Sequence, residues 1–274
     1  MRDQATLKRL GFMTQQGSTH TARTLMLSEL STLFDHVPAE ADKDAYQAAI
    51  RDANCLAKRS GRTRQLTASH LADLYGLDPA NPIHAGLRYF WSRDEGARPQ
   101  LALLAAAARD SLLRDLAPAI LAKPLGASIT RESVEEAIEQ HWPGRFSTVT
   151  RESIAQRVNS SLVQVGYLQG PFKRVRVHLE PATAAVAYAL YLAWLQGGRG
   201  ELLLQSPWCK LLDASHDRLL ELAAQASSKG WMVMRRVDNV IDVDFPALAP
   251  LVTQVLKPAE TDTATQQEIF HEQG

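Results

Sequence analysis

Apolar residues return at helical spacing along most of the chain, and strand-like alternation is confined to its second half. Leu25, Met26, Leu30 and Leu33 keep a three-and-four step, which predicts a helix over 18–33 closed by Val37-Pro38. Further helices are expected over 43–57 and 64–74, the latter stopped by Gly76, and over 84–91 after the turn at Asn81-Pro82. A polar loop at 92–99 precedes an Ala/Leu-rich helical stretch over 100–116. Ser128 to Glu132 reads as the start of another helix, capped by Thr130 and ended by His141-Trp142-Pro143-Gly144.

After that break the period changes. Thr150 is expected to cap a helix over 151–165 that stops at Gly166, and Gln169-Gly170-Pro171 turns the chain into a strand over 173–179. There Val175, Val177 and Leu179 alternate with Arg174, Arg176 and His178, so the open face of the predicted strand is basic. The order repeats with a helix over 216–228, a stop at Gly230, a strand over 231–236, turn chemistry at Asp238-Asn239 and a returning strand through Val240, Ile241 and Val243. The expected fold is mainly α, a helical bundle followed by winged-helix-like modules of helix plus β-hairpin. The expected division is an N-terminal helical domain over 1–142, a C-terminal winged-helix-like domain over 143–256, and a disordered tail over 257–274.

Composition changes this picture little. Thirty basic residues balance thirty acidic ones, so an anionic partner has to be argued from where charges sit. Cys55 and Cys209 stand far apart without a second cysteine nearby, which suggests a reducing compartment and no disulfide framework. The start of the chain lacks a basic segment leading into an apolar run, and the expected location is the cytoplasm. The most apolar segment, 182–195, falls short of the about 20 residues a spanning helix needs. It reads as a buried helix with Tyr188, Tyr191 and Trp194 packed into a core, and no membrane partner is expected.

The sequence carries none of the phosphate-loop, dinucleotide, nucleophile-elbow or paired-histidine zinc motifs. Asp213, His216 and Asp217 cluster behind Ser215 where a helix begins, and capping accounts for them. His141-Trp142 reads as packing at the end of a helical bundle. His70 and His84 stand apart from other candidate ligands. No catalytic residue, metal, cofactor or small-molecule substrate is therefore expected.

Two charge clusters point elsewhere. Lys58, Arg59, Arg62 and Arg64 lie together without an acid, interleaved with Ser60, Gly61 and Thr63, which suits phosphate contact. Arg145, Arg151, Arg157, Lys173, Arg174 and Arg176 form a second group with Glu152 as the single acid between them. On a winged helix the helix before the hairpin would enter a major groove and the wing would touch flanking backbone. Arg151, Gln156, Arg157, Asn159, Ser160 and Gln164 then become contact candidates, among which the Asn and Gln side chains could read base edges. The third group, Lys229, Arg235 and Arg236, is followed by Asp238, Asp242 and Asp244 and suits a protein partner better.

With these residues laid out, the chain resembles the BrxA family of bacterial BREX phage-defence systems over about 17–245. The likeness rests on Ala53-Asn54-Cys55-Leu56-Ala57-Lys58-Arg59-Ser60 and on Glu201-Leu202-Leu203-Leu204-Gln205-Ser206-Pro207-Trp208. The resemblance implies a non-catalytic double-stranded DNA-binding accessory protein that acts with other BREX components, including a methyltransferase and an ATPase. The alternatives left open are a protein-interaction scaffold bridging BREX subunits without nucleic-acid contact, and an RNA binder.

Overall fold

Capping side chains fix where most helices of this computed structural model begin; it describes residues 2–13, 18–171, 173–237 and 240–257. Asp3 caps α1 (Gln4–Arg9) through the Thr6 amide. A single 3-10 turn at Thr19–Thr21 follows, and α2 (Leu27–His36) begins only after Met26 turns into the left-handed region at φ 54°. The predicted helix over 18–33 therefore starts nine residues late. Asp42 caps α3 (Lys43–Arg51), which ends earlier than predicted because Asn54 and Ala57 adopt φ of 50° and 49°. Ser60 caps α4 (Gly61–Tyr75), and Gly76 closes it in the left-handed conformation that a side chain would strain.

Asn81 caps α5 (Pro82–Trp91). The Ala/Leu-rich stretch divides into α6 (Arg98–Arg109) and α7 (Ser111–Leu121), because the Asp110 carboxylate turns to cap Leu113 and interrupts the run. Ser128–Ile129, expected to open a helix, is instead the short strand β1. Thr130 caps α8 (Arg131–His141) as predicted, and Ser147, three residues before the expected cap, starts α9 (Thr148–Val165). Then come β2 (Leu168–Gln169), β3 (Arg174–Arg176), α10 (Thr183–Leu195), α11 (Pro207–Lys210) and α12 (His216–Ser228). The second hairpin, β4 (Val233–Val237) and β5 (Val240–Asp244), precedes α13 (Ala249–Leu256). The fold is mainly α with two small antiparallel sheets. The expected turn at Asp238-Asn239 and nearly all of the expected tail, residues 258–274, lie outside the described residues.

Every residue of α10 is buried, so the uncharged segment is the central strut of the core and not a surface helix. Tyr188 and Tyr191 donate to the carbonyls of Ile83 (2.9 Å) and Pro82 (3.2 Å) in α5, which satisfies both phenols inside an apolar core. α5 meets them through Gly86, where a Cβ would stand 2.5 Å from the Tyr191 ring. Trp142 is partly buried and packs 6.2 Å from Phe146 by ring centroids, as its position ahead of Pro143-Gly144 suggests. Among the described residues no helix is long and apolar enough to cross a membrane.

The first sheet has the order β1-β3-β2, all antiparallel, with Ser128 opposite Val175 and Leu168 opposite Arg176. The division expected at 142/143 passes between α8 and α9, which pack against each other, and β1 pairs with β3 across it.

Candidate nucleic-acid interface

β3 is the middle strand, with both of its edges hydrogen-bonded, and the Arg176 side chain turns into protein. Arg176, predicted on an open basic face, is 1% exposed. Its guanidinium is held by the Asp213 carboxylate, by the Val177 carbonyl and, at 3.4 Å, by the Leu121 carbonyl, and it lies 5.6 Å from the centre of the Tyr167 ring. The strand covers only Arg174–Arg176 of the predicted 173–179, and the predicted alternation does not hold: Arg174 and Val175 are half-buried and Arg176 is buried, because the carboxylate that makes a buried arginine tolerable lies 37 residues downstream. Asp213 thus serves this ion pair, while Ser215 caps α12 and Asp217 lies in its first turn.

The remaining predicted cations divide into engaged and open ones. Arg151 pairs with Glu139 of α8 at 2.5 Å and donates to the Phe146 carbonyl at 3.2 Å, so much of its charge is offset. Arg157 is partly buried and donates to the Thr21 carbonyl, and Gln164 bonds both Leu27 N–H (3.1 Å) and Thr24 Oγ1 (3.0 Å). Those two contact candidates lie under the 18–27 segment, which crosses one side of α9. Arg145 is exposed with its guanidinium 4.9 Å from the Phe146 ring centre. Lys173 is exposed, and Arg174 is half-buried with one nitrogen on the Gly170 carbonyl; neither forms an ion pair among the described residues.

Lys173 and Arg174 border an open groove of about 800 Å³. Its other walls are β1, the first turn of α8 with Arg131 and Glu132, and the face of α9 that carries Gln156, Asn159 and Ser160. Gln156 is exposed and Ser160 half-buried, but Asn159 is only 6% exposed. Its Oδ1 is shut from solvent without a hydrogen-bond partner among the described residues. Arg131, which the sequence reading passed over, is neutralised in part by Glu135 at 3.0 Å.

The other predicted cluster sits elsewhere. Lys58 pairs with Glu29 of α2 at 3.0 Å, and Arg59 is exposed. Arg62, expected before the helix, and Arg64, expected at its start, both belong to the first turn of α4, which among the described residues carries no acid to balance them and where the helix dipole opposes them. Arg64 Nε is buried without a hydrogen-bond partner among the described residues.

Sequence reasoning also missed a buried chain of hydrogen bonds with the atoms of a Ser-His-Asp triad. His20 Nδ1 lies 3.0 Å from Asp110 Oδ2, and its Nε2 lies 2.9 Å from Ser161 Oγ. Leu25 N–H donates to the same serine oxygen at 2.8 Å. All three side chains are at most 1% exposed, so the serine oxygen is closed to solvent and ties the 18–27 segment to α9. Burial raises the Asp110 carboxyl, but the adjacent His20 and hydrogen bonds from His20, Ser18 and Leu113 outweigh it and hold the group at about 2. His84 is equally internal, with Nδ1 3.1 Å from the Tyr75 carbonyl and Nε2 3.3 Å from the Tyr46 hydroxyl. Burial lowers it to about 3, so it packs as a neutral imidazole.

Among the described residues no group of three or more His, Cys, Asp or Glu is placed to hold a metal ion. No family model matches the chain, and no curated protein matches it.

Proposed function

We propose that this protein is a non-catalytic, double-stranded DNA-binding accessory component of a bacterial BREX phage-resistance system, working in the cytoplasm. The observation that carries the reading is the pair Lys173 and Arg174, without an ion pair among the described residues, beside the groove-facing side of α9. α7, β1, α8, α9 and the β2–β3 hairpin follow in winged-helix order, with the first strand beside the returning strand of the hairpin. In that arrangement the hairpin cations meet phosphates and Gln156 and Ser160 face base edges. The resemblance of the 53–60 and 201–208 segments to the BrxA family supports the BREX assignment.

A second reading, a scaffold that bridges BREX subunits, is favoured by the other module. There Leu202 and Val240 are 68% and 70% exposed, and the turn that carries Leu202 packs on β5. Fluorescence anisotropy with a labelled random-sequence duplex separates the two. The DNA reading expects binding that weakens steeply between about 50 and 200 mM salt and survives matched RNA competitor. Absence of duplex binding at low salt, with capture of BREX proteins retained after nuclease treatment, leaves the scaffold reading.

A further inference from the structure

Among the described groove-lining residues, Asn159 has a buried side-chain oxygen without a hydrogen-bond partner. It sits in the middle of α9, 6% exposed, with Oδ1 out of contact with solvent and no hydrogen bond among the described residues. A buried amide left this way costs free energy that a ligand with a complementary edge would recover. Gln156, three residues earlier on the same helix, places a second carboxamide at the groove. Ile129 and Pro171 give the walls apolar surface. At the rim stand Lys173 and Arg174, and the one acid there, Glu132, lies 3.5 Å from Arg131. The groove therefore suits a ligand that carries both a neutral, flat, hydrogen-bonding part and an anionic group. Its volume, about 800 Å³, is ample for one nucleotide.

We infer that this groove holds a single unpaired nucleotide, its base edge on the Asn159 and Gln156 carboxamides and its phosphate at Lys173 and Arg174. The inference rests on the nucleic-acid reading of the same groove and sharpens it, because a base sealed in a Watson–Crick pair cannot reach a side chain this deep. The nucleotide is either free or an extrahelical residue of a strand.

The test has two arms. Calorimetric titration uses each of the four deoxynucleoside 5′-monophosphates, with inorganic phosphate as control. Anisotropy compares a fully paired duplex with the same duplex carrying a one-nucleotide bulge. The inference expects at least one monophosphate to bind about tenfold more tightly than phosphate, and the bulged duplex to bind about tenfold more tightly than the paired one. Asn159→Leu should erase both preferences. Should that variant fail to fold, Lys173→Ala, at an exposed rim position, should weaken monophosphate binding several-fold. Equal affinity for bulged and paired duplexes, with no monophosphate preferred over phosphate, overturns the inference while leaving duplex binding intact. Monophosphate binding without affinity for either duplex keeps the site for a free nucleotide and removes the DNA reading. Absence of all binding removes both.

Discussion

Arg176 of β3 forms a buried ion pair with Asp213, in the turn that leads into α12, and so joins the first helix-and-hairpin unit to the second. The arginine is 1% exposed and its partner 25% exposed. Asp213→Asn keeps a side chain that tolerates the positive φ of 52° at this position but leaves the guanidinium charge without its counterion. Discounted for the partial exposure of Asp213, the expected loss is about 2–3 kcal/mol, measured as a lower urea midpoint with unchanged slope. An unchanged midpoint contradicts a structural role for this pair. Charge reversal at Arg176 is for the same reason a folding defect and no test of nucleic-acid binding.

Acid should weaken the fold well above the carboxylate range. His84 is held at about 3, whereas an unfolded histidine titrates near 6.5. The unfolded chain therefore binds a proton that the native site refuses, and stability falls as pH drops from about 6.5 toward 3, by about 1.4 kcal/mol per unit at most. Asp110, held at about 2, adds a second loss as pH falls below about 4. Urea unfolding at pH 7.5 and 5 should show the first effect in the wild type and little of it in His84→Gln. Equal pH dependence in the two proteins contradicts the assignment.

Gly86 should not accept alanine. The added methyl would meet the Tyr191 ring at 2.5 Å, and α5 cannot retreat without breaking the phenol bonds to Pro82 and Ile83. Despite the better helix propensity of alanine, we expect a net loss of about 1–3 kcal/mol in thermal or urea unfolding. A stabilised variant would mean that the two helices stand further apart.

Ser161→Ala removes the acceptor for Leu25 N–H and the partner of His20 Nε2 in one step. With both groups buried, the cost should be about 1–3 kcal/mol. Amide hydrogen exchange should show faster exchange in the 18–27 segment before any change in α10. Uniform acceleration across the chain would show that the segment is not separately tethered.

Much of the helical layout was legible because caps, glycine stops and apolar spacing are local signals. Thr130, Gly76, Gly166 and the uncharged run of α10 each announced themselves within a few residues. The misses came from partners distant in sequence. Ser128–Ile129 is a strand because β3 lies 45 or more residues later, and a two-residue strand has no period to detect. Asp110 broke a run that alanine propensity favoured, and its network with His20 and Ser161 spans three separate stretches of chain. At the candidate interface, Lys173, Arg174 and Gln156 were found from charge and helix position, and the groove brings them together. Arg151, Arg157 and Arg176 carry the same residue type, but only the fold shows that Glu139, the Thr21 carbonyl and Asp213 already hold them.

Duplex binding at the β2–β3 hairpin, as proposed, is measured on the double variant Lys173→Glu/Arg174→Glu by anisotropy at low salt. The control is Arg235→Glu on the second hairpin, where the arginine is 75% exposed and stands 4.0 Å from Asp242. The double variant should lose at least tenfold in affinity with a shallower salt dependence, the control should stay near wild-type affinity, and helical circular dichroism should be unchanged in both, as binding at this hairpin requires. Wild-type affinity and salt slope in a folded double variant would contradict it.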